Sequence, residues 1–279
     1  MFKYIKNLSR LSLSIKNRRF YSIESPKKIK VNDIEINYLK VGSGPKTLLL
    51  LPGALGSIYT DFKPQIENLS RKKYTIVVWD PPGYGFSRPP SRDCSSGFFY
   101  KDAEYVVTLM DALNINQYSL IGWSDGGITA LIAASQAVDK IQNVIVWGSN
   151  AYLTDKDIKL YEKIRDVKKW SPKMRQPFIN LYGEEYFAKT WSSLIDAYRA
   201  ILEENKGDIC CGELSKIEAP TLVLHGSQDP LVPIEHPVYI HKNLKYASLE
   251  IFPDGKHNIH LRYPEKFNSS IENFLSSLQ

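Results

Sequence analysis

The sequence predicts an α/β fold: a mainly parallel sheet flanked by helices, with one helical lid insertion. Three observations predict it. Short apolar or β-branched runs alternate with longer stretches of helical spacing, an order that builds a largely parallel sheet covered on both faces. One interval, about 151–213, has no convincing strand and carries nine aromatics from Tyr152 to Tyr198. Finally, Gly122-Trp123-Ser124-Asp125-Gly126 joins an apolar strand to a helix through a serine flanked by glycines.

The elements follow in order. Residues 28–32 and 34–40 alternate in polarity around Asn32-Asp33 and read as an antiparallel hairpin at the sheet edge. Buried strands are predicted at 46–51, 74–79, 118–122, 142–147, 221–225 and 248–252. In 103–113, Val106, Leu109, Met110 and Leu113 recur at i, i+3, i+4, i+7, the spacing of an amphipathic helix. Residues 126–137 are alanine-rich and apolar on most sides, as suits a helix packed directly on a sheet. The predicted core is therefore 28–150 and 214–279, with 151–213 as a helical cap placed to cover a site.

Composition excludes several classes. The chain has 279 residues, 43% hydrophobic and 24% charged, which suits one large α/β domain or a domain with an insertion. No apolar run approaches the roughly 20 residues needed to span a bilayer, so no membrane partner is expected. The formal charge of +6 is concentrated at the N-terminus, where residues 1–23 hold six basic side chains and no acid. The remainder has 30 basic and 30 acidic residues, so no nucleic-acid footprint is expected. Cys94, Cys210 and Cys211 are too few and too badly spaced for a disulfide framework or a zinc site. No metal and no cofactor is expected, and a monomer is the default assembly.

The N-terminus places Tyr4, Ile5, Leu8, Leu11 and Ile15 on one helical side opposite Lys3, Lys6 and Arg10. A basic, serine-bearing, acid-free amphipathic start of this kind predicts a mitochondrial transit peptide over 1–21 and a matrix location. Arg19-Phe20-Tyr21-Ser22 resembles a matrix-peptidase pattern with the cut after Tyr21.

The Gly-x-Ser-x-Gly stretch points to a nucleophile. A reactive serine must stand out on a sharp strand-to-helix turn, and the glycines remove side chains that would collide there. Its hydroxyl needs a base, and the base needs an orienting carboxylate. His225 falls within a strand, and His236 and His241 on an outer helix. His257 lies in the Pro253–His257 loop after the last strand, while His260 enters the next helix and reads as scaffold. Asp229 occupies the turn after the preceding strand. Ser124, Asp229 and His257 thus all follow strand carboxyl ends, where sites form in parallel sheets.

These features resemble the α/β-hydrolase superfamily from about residue 28 to the end, with the same order of triad members. The stretch Asp80-Pro81-Pro82-Gly83-Tyr84-Gly85-Phe86-Ser87 is similar to the superfamily's D-x-x-G-x-G-x-S loop, with Asp80 as a turn organiser. Within the superfamily, GWSDGGITALIAA, DPPGYGFSRPP, HGSQDPLVP and GKHNIHLR resemble the biphenyl hydrolase-like family, the valacyclovir hydrolases. The fold implies an oxyanion hole made by the Asp125 N–H and one N–H of Pro52-Gly53-Ala54-Leu55-Gly56, where many relatives have His-Gly. Ala54 is favoured over Leu55.

Asp125 has two readings. A carboxylate at a helix start is favoured by about 0.3–1 kcal/mol through the helix dipole. Beside the nucleophile it is also placed to bind an ammonium group next to the scissile carbonyl. The resemblance implies the second, a small-molecule substrate that is an ester of an α-amino acid. Carbon–carbon bond hydrolysis, thiolactone hydrolysis and a non-enzymatic ligand receptor remain on the same scaffold. Dehalogenase and epoxide-hydrolase chemistry is disfavoured because both place a carboxylate where Ser124 stands.

Overall fold

The computed structural model describes residues 24–278, so the basic segment read as a transit peptide (1–21) lies outside the described residues. Eight strands form one sheet: β1 (Lys27–Val31), β2 (Ile34–Val41), β3 (Lys46–Leu51), β4 (Tyr74–Trp79), β5 (Tyr118–Trp123), β6 (Ile141–Trp147), β7 (Thr221–Gly226) and β8 (Ala247–Phe252). Their spatial order is β1-β2-β4-β3-β5-β6-β7-β8. The hairpin β1–β2 and the β2–β4 pair are antiparallel. Every pair from β4 to β8 is parallel, so the chain leaves those strands at one common edge.

Alternation along the strands sorts the core into two layers. Leu49, Leu51, Val77 and Val146 pack with α2 (Phe98–Ala112) and α3 (Asp125–Gln136). Leu48, Leu50, Ile76, Val78, Ile145 and Trp147 pack with α1 (Ile58–Asn68). Two C-terminal helices join that second layer: α9 (Ile259–Arg262) and α10 (Pro264–Ser277). Both faces are covered, which is why the strand sequences read as continuous apolar runs.

The helix predicted at 103–113 begins earlier, at Phe98, because Phe98, Phe99 and Asp102 add a buried turn to its apolar face. Its start was hard to place from sequence, since Gly97 supplies no capping side chain. The predicted helix at 126–137 begins one residue earlier, at Asp125.

Between β6 and β7 the chain makes an excursion through α4 (Asp155–Lys163), α5 (Pro172–Tyr182), α6 (Glu184–Glu204) and α7 (Cys211–Leu214). Thr154 and Asp157 cap α4 reciprocally. Buried Phe187, Leu194, Ile195 and Ile201 of α6 belong to the same apolar cluster as α2 and α3. Three tyrosine hydroxyls fasten this cap to the core, two on loops and one at the start of α3. Tyr182 donates to Leu55 O (2.9 Å) and accepts from Gly85 N (2.8 Å). Tyr186 donates to Gly83 O (2.8 Å). Tyr198 bonds Asp125. After the cap come α8 (Glu235–Asn243) and the last strand.

Candidate active site

The site begins where β5 turns into α3. Ser124 has φ 54° and ψ −121°, a left-handed conformation that costs a residue with a side chain about 1–3 kcal/mol. The turn is held from both sides: Ser124 N donates to Trp147 O (2.9 Å), and Ser124 O accepts from Gly127 N (2.9 Å). The flanking glycines permit it. A Cβ on Gly122 would lie 2.3 Å from Gly126 O, and one on Gly126 would lie 2.1 Å from Leu51 O. Those contacts are backbone and cannot swing away.

Three loops at the common edge converge on this serine. His257 Nε2 is 3.1 Å from Ser124 Oγ, and His257 Nδ1 is 2.8 Å from Asp229 Oδ2. Asp229 Oδ1 accepts from the backbone N–H groups of Leu231 (2.9 Å) and Val232 (3.1 Å). Burial pushes the Asp229 carboxyl up, but His257 and these N–H groups outweigh it and hold it below the ordinary carboxylate value. The carboxylate therefore stays ionised and aimed at the imidazole. The ring is braced as well: Trp123 Nε1 donates to His257 O (3.0 Å). Gly148 at φ 58° underlies the ring, and a Cβ there would press to 3.0 Å from it.

The other histidines stand away from Ser124 in the hydrogen-bond network. His225 is buried in β7, and burial depresses its pKa to about 4. His236 of α8 lies 3.0 Å from Asp157 Oδ1. His241 is on the same helix. His260 is fully buried in α9, where Nδ1 accepts from Trp147 Nε1 (3.0 Å), and burial holds its pKa well below the usual value.

The loop after β3 approaches the serine from the other side. Gly53 N donates to Asp61 Oδ2 (3.0 Å) and Gly56 N donates to Gly53 O (2.9 Å). The Gly53 N–H is thus already engaged, leaving Ala54 and Leu55 as the loop's candidate oxyanion donors. Leu55 sits at φ 58° with its carbonyl held by Tyr182. Asp61 was not singled out by sequence; its only signal is a carboxylate in the first turn of the helix that follows this loop. Burial pushes its carboxyl up to about 7. Asp80 accepts from Asn37 Nδ2, Ile58 N and Phe86 N at 2.8–2.9 Å. It organises the turn after β4.

Asp125 opens α3 with only 9% of its surface exposed. Both of its oxygens lie in hydrogen-bond range of one phenol, Tyr198 Oη, at 2.8 and 2.7 Å. It borders a small cavity shared with Pro52, Trp79, Tyr84 and Arg92. Arg92 forms a two-pronged pair with Asp102 at 2.8 and 2.5 Å. Burial raises the Asp125 carboxyl to about 6, against the downward pull of Tyr198 and Arg92. Neither Tyr198 nor the Arg92–Asp102 pair was assigned a role from sequence. Tyr198 carried only the general signal of an aromatic-rich insertion.

The sequence profile of the alpha/beta hydrolase fold matches residues 46–164 and 158–263. The chain belongs to the α/β-hydrolase family. Within the α/β-hydrolases it is 49% identical to "Serine hydrolase BPHL" of Homo sapiens over 248 residues, covering 89% of this chain and 85% of that protein. This places it as a serine hydrolase. It is 27% identical to a 2-hydroxy-6-oxo-6-phenylhexa-2,4-dienoate hydrolase of Comamonas testosteroni, covering 88% of this chain and 92% of that one. Among solved α/β-hydrolases, a meta-cleavage product hydrolase from Pseudomonas fluorescens superposes with a TM-score of 0.76 at 20% identity. That superposition covers 91% of this chain and 98% of the other. Among the described residues no helix is long and apolar enough to cross a membrane.

Proposed function

We propose that this serine hydrolase cleaves esters of α-amino acids through an acyl-enzyme. The observation that carries the reading is a buried carboxylate, Asp125, one residue after the serine that meets His257. A buried anion is costly unless something compensates it, and an ammonium group beside the scissile carbonyl is the compensation an amino-acid ester brings. The high identity to the BPHL serine hydrolases supports the hydrolytic class.

The geometry of the site supports the following steps. Ser124 attacks the ester carbonyl while His257 Nε2 takes its proton. Asp229 fixes the proton on Nδ1 and stabilises the imidazolium. The N–H groups of Ala54 and Asp125 hold the oxyanion, a donor of this kind being worth about 3–4 kcal/mol in the transition state. His257 then delivers its proton to the alcohol, which leaves. Water, deprotonated by the same ring, attacks the acyl-enzyme, and the ring returns that proton to Ser124 Oγ as the amino acid leaves.

Carbon–carbon bond hydrolysis is the second reading, favoured by relatives such as the Comamonas enzyme. A buried acidic group beside the nucleophile opposes the anionic substrates of that chemistry. A panel of esters with and without the α-amino group separates the two. Asp125→Asn is expected to lose activity on a phenylalanine ester far more than on the matching ester without the amino group. Equal losses overturn the amino-ester reading. Ser124→Ala must abolish turnover and labelling by a fluorophosphonate probe, and retained activity overturns the nucleophile. The matrix location is proposed alongside: a reporter fused to residues 1–30 is expected in mitochondria, and a cytosolic one refutes it.

A further inference from the structure

We infer that Tyr198, on the cap, is a positioning residue for the Asp125 carboxylate and so makes recognition of a substrate's amino group depend on the cap. The inference rests on the amino-ester reading and extends it to a second residue, 73 positions away in the chain.

The first ground is a count of donors. An ionised carboxylate offers about four acceptor sites. Asp125 receives one phenolic proton, shared between oxygens at 2.8 and 2.7 Å. Most of the acceptor capacity of a buried anion is therefore left for a ligand, and an ammonium group carries three donors. The second ground is charge. Arg92 is the neighbouring cation, but it is committed to Asp102 by two hydrogen bonds and to Pro82 O (3.1 Å) by a third. With Arg92 and Asp102 cancelling, the buried cluster keeps the single negative charge of Asp125. That net charge selects a cation.

The third ground is rigidity. The Tyr198 ring stacks on Phe99 (6.4 Å between centroids, 12° between planes) and lies 5.2 Å from Tyr161. Phe98 lies 6.3 Å away on the same helix as Phe99. Packed between a core helix and α4, the phenol cannot turn aside, so its hydroxyl fixes the carboxylate plane. Being a donor, it also favours the ionised form that an ammonium needs. The groups that face Asp125 are Tyr198 from α6, Arg92 and Tyr84 from the loop after β4, and Asp102 from α2. Tyr161 from α4, Cys94 from the loop after β4 and His257 from the loop after β8 also face it.

The test compares kcat/KM of Tyr198→Phe on a phenylalanine ethyl ester and on the ethyl ester of 3-phenylpropanoate, which lacks only the amino group, from acid to neutral pH. The amino ester is expected to lose about tenfold more than its partner, the scale of one hydrogen bond to a charged group. In the ratio of the two kcat/KM values, where the shared requirement for His257 cancels, the acid limb reports ionisation of Asp125 and is expected to move to higher pH. In an Asp125→Asn background the added substitution should produce no further discrimination. As a second variant, 3-fluorotyrosine at position 198 keeps a stronger donor and should retain the preference, with the acid limb moved to lower pH. Equal losses on both esters, or an acid limb unmoved in both variants, overturn the role of Tyr198. If Asp125→Asn discriminates while Tyr198→Phe does not, only this inference fails. If Asp125→Asn does not discriminate, the amino-ester reading itself fails and this inference falls with it.

Discussion

The Asp61 carboxylate takes the Gly53 N–H at 3.0 Å across the turn that follows β3. The same side chain accepts from Thr60 Oγ1 at 2.7 Å. This contact anchors the loop whose Gly53 lies against Ser124 and whose next residue, Ala54, is the proposed oxyanion donor. Leaving a buried N–H unpaired costs about 1–3 kcal/mol, and the loop can relieve that cost by shifting. Asp61→Ala is therefore expected to lower kcat about tenfold or more on any ester, with KM changed much less. Steady-state kinetics on an ester without an amino group checks it.

That carboxyl also has a consequence for stability. Burial raises its pKa from the ordinary 3.8 to about 7. Between those values the folded protein holds a proton that the unfolded chain has lost, so its contribution falls as pH rises through that window. Asp61→Asn removes the dependence. Relative to the native protein, the variant's stability in urea should improve from about pH 4 to about pH 7, by on the order of 2 kcal/mol. A difference that stays constant across the window refutes the assignment.

Asp229→Asn should fold normally and still fail as an enzyme. The amide can keep contact with His257 Nδ1, but as a donor it favours the wrong tautomer. The expected fall in kcat is about three to four orders of magnitude. Circular dichroism and rate measurements on one preparation separate loss of fold from loss of turnover.

Where the cap meets the helix after β7, Asp157 of α4 lies against His236 of α8, both side chains only 2% exposed. Burial pushes the Asp157 carboxyl up, but the bonds from His236 and Thr154 outweigh it and bring it below 3.8. A depressed carboxyl stabilises above its unfolded pKa and loses that contribution as pH falls through its folded value. Asp157→Asn should therefore cost on the order of 2 kcal/mol near neutrality. The gap should narrow below about pH 4. Urea unfolding at the two pH values measures it.

The strands were legible because a covered parallel strand needs a short apolar run, and each run in this chain is bounded by turn residues. The convergence of Ser124, Asp229 and His257 followed from placing each one after a parallel strand. The glycines around Ser124 were informative because backbone, not side chain, occupies the space their Cβ atoms would need. Asp61 and Tyr198 were illegible for a different reason. Each acts through one contact whose partner is set by loop path or cap docking, and no local spacing encodes either. The early start of α2 was missed because Phe98 and Phe99 bury it without a capping residue to mark it.

The cap leaves the sheet after β6 and returns at β7, yet β6 and β7 pair side by side, Val144 with Thr221 and Trp147 with Leu224. The excursion is thus threaded between two strands that would be neighbours without it. Exchange of that stretch for one from another scaffold would remove Tyr198 while leaving Ser124, Asp229 and His257 on the strands and loops outside it. The means of selection are thus split, with Tyr198 inside the exchangeable stretch and its partner Asp125 on the core that keeps the relay.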